Sequence, residues 1–111
     1  MVEDFAKIRL ILKKYIDTIK SNGIMIDKLY LFGSYARGTA DENSDIDIAL
    51  ISKQFKGDRF EDRRLLVPLR RKIDVRIEPI PYRPEDFKEN DPLAIEIMRN
   101  GIELPLTMLD A

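Results

Sequence analysis

Apolar side chains recur at helical spacing near the start of the chain: Phe5, Ile8, Leu12, Ile16 and Ile19 share a face, with Lys7, Lys13, Lys14, Asp17 and Lys20 on others. That pattern predicts an amphipathic helix over residues 3–21, with Tyr15 at the core or its boundary. Asn22-Gly23 ends it, since glycine closes a helix in the left-handed conformation without a Cβ penalty. The period then changes to two. Leu29-Tyr30-Leu31-Phe32 predicts a strand over about 27–33. Asp45-Ile46-Asp47-Ile48-Ala49-Leu50 predicts a second over about 45–51, burying Ile46, Ile48 and Leu50 and placing Asp45 and Asp47 together on the other face. A third alternation, Ile73-Asp74-Val75-Arg76-Ile77-Glu78, predicts a strand with Ile73, Val75 and Ile77 inward and Asp74, Arg76 and Glu78 on the open face.

Between these strands, residues 53–60 form a polar loop, and 59–66 are helical until Pro68 kinks or ends the segment. Pro79, Pro81 and Pro84 keep 79–84 extended, and Pro84-Glu85-Asp86 opens a short helical turn. Asp91-Pro92 is an N-cap followed by proline at the first helical position, starting a helix through Leu93, Ile97 and Met98 that stops at Asn100-Gly101. Ile102-Glu103-Leu104-Pro105-Leu106 reads as an edge strand or an arm whose Leu and Met residues pack on a neighbour. A chain of 111 residues with no repeats or linkers is expected to be one domain, 1–111, of mixed α/β class.

The candidate chemistry lies where the first strand meets the second. Gly33-Ser34 is a phosphate-friendly turn. Gly33 lets the backbone approach an anion, and Ser34 is placed to cap a short helix whose free N–H groups face it. Ten residues after Ser34, Asp45 and Asp47 follow, one position apart. Two ionised carboxylates about 4 Å apart repel by roughly 4 kcal/mol at an effective dielectric of about 20, so the pair calls for a proton or a divalent cation. Oxygen ligands beside a phosphate-binding turn suit Mg²⁺. Asp41-Glu42-Asn43-Ser44 is a polar turn, with Ser44 orienting it before Asp45.

Gly33-Ser34-Tyr35-Ala36-Arg37-Gly38 with Ser44-Asp45-Ile46-Asp47 resembles the Gly-Ser, ten residues, Asp-x-Asp motif of the DNA polymerase beta-like nucleotidyltransferase superfamily. It is close to the form seen in its smallest members, the minimal nucleotidyltransferases. The resemblance implies a polymerase beta-like fold, a small mixed β-sheet with flanking helices, and two-metal transfer of a nucleoside monophosphate, most simply AMP from ATP, to a hydroxyl. It implies that Asp45 and Asp47 hold Mg²⁺, that Gly33 and Ser34 cradle the β and γ phosphates, and that Arg37 neutralises the leaving group. A third metal carboxylate lies on a later strand in that superfamily; Asp74 is the matching position, with Glu78 on the same predicted face as the fallback. Minimal nucleotidyltransferases are commonly paired with a helical HEPN-domain protein, often a ribonuclease toxin. The resemblance therefore implies an antitoxin that modifies a tyrosine of that partner in a hetero-oligomer. The alternatives are a binding module that neutralises its partner by contact, and a transferase acting on a small molecule such as an aminoglycoside.

Composition narrows this further. The chain has no Cys and no His, which excludes thiolate and imidazole metal sites, a Cys nucleophile, disulfides and a His base. Nineteen basic residues against twenty acidic ones do not suggest a general nucleic-acid binder. The most basic stretch holds Arg59, Arg63, Arg64, Arg70, Arg71 and Lys72, either a solvated face or a contact surface. With no membrane-spanning run and no signal peptide, a cytoplasmic protein is expected.

Overall fold

The computed structural model describes residues 5–106. The chain runs α1 (Phe5–Ser21), β1 (Lys28–Phe32), α2 (Ser34–Arg37), β2 (Ile46–Ile51), α3 (Arg59–Leu66), a 3-10 turn (Val67–Arg70), β3 (Ile77–Tyr82), a second 3-10 turn (Pro84–Asp86), α4 (Pro92–Asn100) and β4 (Ile102–Leu104). The strands form one mixed sheet in the order β3-β2-β1-β4. β1 pairs antiparallel with β2 and β4, and β2 pairs parallel with β3. Residues 3 and 4 of the predicted first helix, and Met108 of the predicted arm, lie outside the described residues.

The alternation of each strand divides the core into two layers. Leu29, Leu31, Ile46, Ile48, Leu50, Ile77 and Leu104 face α1, whose Ile8, Leu12, Tyr15 and Ile19 are fully buried against them. Tyr15, expected at the core, donates its hydroxyl to the carbonyl of Leu66 at 2.7 Å, tying α1 to the end of α3. Burial pushes its ionisation well above the ordinary tyrosine range. The opposite face carries Ala49, Ile51 and Tyr82, covered by Ala94 and Ile97 of α4. At the start of β2 and β3 the residues on this face are Asp47 and Glu78, both half-buried.

Asp91 caps α4 as predicted, its carboxylate accepting from the backbone N–H of Leu93 at 2.9 Å and Ala94 at 3.3 Å. Asp91→Ala leaves those donors without this acceptor, and we expect a loss of about 1 kcal/mol in urea unfolding with no change in nucleotide affinity.

The third strand differs from its prediction. Residues 73–76 are not extended: Ile73 and Asp74 both donate their N–H to the Arg70 carbonyl at 2.9 Å, and the Asp74 carboxylate accepts from the Arg76 N–H at 2.9 Å. These local bonds turn the chain, leaving Val75 66% exposed where alternation placed it inward. β3 starts at Ile77 and runs through two prolines. Its ladder bonds use even-numbered residues, with Ile46 N–H donating to the Arg76 carbonyl at 2.8 Å and Ser52 N–H to the Tyr82 carbonyl at 3.0 Å. Pro79 and Pro81 therefore present their missing donors to the open edge of the sheet, the one side of a strand where proline removes no ladder bond.

Candidate active site

β1 delivers Phe32 and then Gly33 to one end of the sheet. The antiparallel register sets Phe32 opposite Asp47, and the parallel register sets Asp47 opposite Glu78, so three strands contribute one row. Gly33 adopts φ 71° and ψ −148°, a conformation nearly confined to glycine. A Cβ there would lie 2.3 Å from Oδ2 of Asp47. The turn and the second carboxylate are thus in direct backbone-to-side-chain apposition.

Ser34 does not cap α2. Gly33 occupies the cap position with no side-chain bond, and Ser34 is the first helical residue, its carbonyl accepting from Thr39 N–H at 3.0 Å. A glycine cap suits the extreme φ that the close approach to Asp47 demands, and this displaces the serine by one position. Arg37 ends α2 exposed to solvent, close enough for its charge to favour the ionised form of Asp47.

Asp47 holds its proton above the ordinary carboxylate range, because burial disfavours the anion and the charges of Asp45 and Glu78 add to that; Arg37 offsets part of it. Asp45, just before β2, is exposed. Like charges facing one another in a half-buried position, with only oxygen donors, fit a divalent cation better than they fit one another. Glu78 is also held from its other side, by Arg70 at 2.9 Å and Arg63 at 3.3 Å. Arg70 additionally donates to the Ile77 carbonyl at 2.6 Å. Among the described residues no group of three carboxylates has metal-binding geometry, in keeping with Glu78 being drawn toward these arginines.

Asp74 sits apart from that row. Its carboxylate is engaged by Arg76, at 2.8 Å to Nη2 and 3.0 Å to Nε, which holds its pKa below the usual value. Sequence alternation treated Asp74 and Glu78 as alternatives on one face; the parallel register brings only Glu78 beside Asp47. The Arg63 and Arg70 contacts were not read from the sequence. Arg63 lies in α3 and Arg70 in the 3-10 turn after it, so no single helical period marks the pair along the chain. The rest of the basic stretch is divided: Arg59 lies 5.1 Å from the Tyr82 ring centroid, Arg64 pairs with Glu61, and Arg71 and Lys72 are exposed.

Residues 12–104 match the family model described as nucleotidyltransferase domain. The chain belongs to that family. This nucleotidyltransferase is 37% identical over 73 residues to a Methanocaldococcus jannaschii protein carrying the name putative protein adenylyltransferase, a match covering 64% of this chain and 72% of the relative. Its fold is shared with a Sulfolobus solfataricus protein assigned as a nucleotidyltransferase (TM-score 0.62, 22% identity, covering 86% of this chain and 79% of the other). A crystal structure of a toxin-antitoxin with AMP-PNP shares it too (TM-score 0.54, 23% identity, 87% and 79% covered). The enzyme therefore has the small mixed sheet with flanking helices of the nucleotidyltransferase fold. No helix among the described residues is long and apolar enough to cross a membrane.

Proposed function

We propose that this nucleotidyltransferase moves AMP from ATP to a hydroxyl of a partner protein, with Asp45, Asp47 and Glu78 as the acidic residues of the site. The observation that carries this reading is the apposition of Gly33 to the Asp47 carboxylate within the row completed by Glu78. A phosphate cradle and a metal-binding pair then share one end of the sheet.

Asp45 and Asp47 would hold Mg²⁺, with Glu78 as the third carboxylate in preference to Asp74, because the parallel register sets Glu78 beside Asp47 while Asp74 lies in the turn before β3. Bound there, divalent ions supply charge neutralisation and acidify the attacking hydroxyl. The side chains and backbone do the rest. Gly33 admits the β and γ phosphates close to the chain, Ser34 contributes its hydroxyl, and Arg37 faces the charge that grows on the departing pyrophosphate. The acceptor oxygen bonds to the α-phosphorus as the bond to the β-phosphate oxygen breaks.

The acceptor reading draws on the adenylyltransferase name of the relative and on the toxin-antitoxin neighbour. It assigns a tyrosine of a helical HEPN-type partner as the acceptor, with this chain as the cytoplasmic antitoxin. In the test, the enzyme is incubated with α-labelled ATP, Mg²⁺ and a helical HEPN-type protein of the same organism. We expect label on the partner, a mass increase of one AMP per modified hydroxyl, and loss of both with Asp47→Ala. Inhibition of the partner by that variant with no mass shift would mean neutralisation by contact alone.

A further inference from the structure

We infer that Asp74 and Arg76 are positioning residues that set the separation between the two halves of the active-site motif. The inference rests on the reading that Gly33-Ser34 and Asp45/Asp47 form one nucleotidyl-transfer site. Ten residues of chain lie between those halves, and a reacting geometry that drifts by about 1 Å can lose about 10²-fold in rate. Something must hold that intervening loop.

Arg76 touches both of its ends and its middle. Its Nη1 donates to the Tyr35 hydroxyl at 3.1 Å and to the Glu42 carbonyl at 2.8 Å. Tyr35, buried two residues beyond Gly33, in turn donates its hydroxyl to the Asp41 carbonyl at 3.1 Å. The Arg76 carbonyl accepts from the N–H of Ile46, the residue between the two aspartates, at 2.8 Å. One residue therefore ties the phosphate turn, the 41–44 loop and the start of β2 together.

Asp74 makes this possible electrostatically. An unpaired guanidinium beside this site would be a competing counter-ion for Asp45. The Asp74 carboxylate takes Nε and Nη2 in a bidentate pair, so the pair is neutral, and Nη1 donates to two uncharged oxygens. Lysine cannot substitute, because a single ammonium lacks the planar fork that addresses three directions at once.

The test compares wild type with Arg76→Lys, Asp74→Asn and Asp47→Ala, using two readouts that need no acceptor: amide exchange across residues 41–47, and Mn²⁺·ATP binding by calorimetry. We expect Arg76→Lys and Asp74→Asn to speed exchange in that loop at least about tenfold and to weaken Mn²⁺·ATP about tenfold without abolishing it. The double variant Arg76→Lys with Asp74→Asn should be no worse than the worse of those two single variants, as befits one shared interaction. Asp47→Ala should lose Mn²⁺·ATP binding while its loop exchange stays near wild type. The inference is overturned if Asp74→Asn loses binding as completely as Asp47→Ala with normal loop exchange, the behaviour of a metal ligand. It is also overturned if Arg76→Lys lowers Tm but leaves both readouts unchanged. If wild type binds no Mn²⁺·ATP, the nucleotidyl-transfer reading fails and the exchange data alone decide the clamp.

Discussion

Asp47→Ala is expected to reduce AMP transfer by about 10³-fold or more while leaving the protein folded, because the lost contribution is several kcal/mol of transition-state charge stabilisation. Single-turnover assays with α-labelled ATP measure the loss, and thermal melts report the fold. The companion variant Asp47→Asn separates chemistry from stability. The folded Asp47 carboxyl keeps its proton to higher pH than the unfolded one, whose ordinary value is 3.8. Ionisation therefore weighs against the folded state as pH rises through and above that range, and below it the effect is absent. Asp47→Asn should be as stable as wild type or more so at neutral pH without ligand, with the difference vanishing in acid. Marked destabilisation at pH 7 would show instead that Asp47 is a structural hydrogen-bond acceptor. Asp74, with its pKa lowered by Arg76, has the opposite sign: its contribution is present above the ordinary carboxylate value and is lost as pH falls through the folded one.

Gly33→Ala is expected to act on stability and activity together. The φ of 71° strains any residue with a Cβ by about 1–3 kcal/mol, and the added methyl would stand 2.3 Å from Asp47 Oδ2, so the carboxylate or the turn must move. We expect a fall in urea midpoint consistent with that strain and a loss of transfer of about 10²-fold or more, since displacement falls on a group that must be placed to within about 0.5 Å. Gly38→Ala is the control. Gly38 also has positive φ, 75°, but a Cβ there meets nothing within 4 Å, so it should lose stability without a comparable loss of transfer. Equal effects of the two variants on transfer would show that backbone strain, and not the approach to Asp47, governs the site.

Local patterns carried far. The helical period of Ile8, Leu12 and Ile19, the alternation through Ile46, Ile48 and Leu50, the Asp91-Pro92 start and the Asn100-Gly101 stop are all decided by neighbours within a few residues. The structure follows them because no distant contact competes. The spacing from Gly33 to Asp47 belongs with these: β1 ends and its antiparallel partner β2 begins at the same end of the pair, which places the two halves of the motif together. The third strand was different. Ile73 to Glu78 alternate as well as any strand in the chain, but the Asp74 side chain captures the Arg76 N–H and bends the segment, a competition between side chain and ladder that periodicity does not contain. Pro79 and Pro81 keep the segment extended, and they fit into a strand only because β3 lies at the sheet edge, a property of strand order. The choice between Asp74 and Glu78 as neighbour of Asp47 likewise rests on the register of a parallel pair separated by some thirty residues of chain. Sequence alone determined which residues could be strand, helix or carboxylate ligand; only the tertiary structure decided which of them meet, because parallel register and edge position are set by packing between distant segments and leave no periodic trace along the chain.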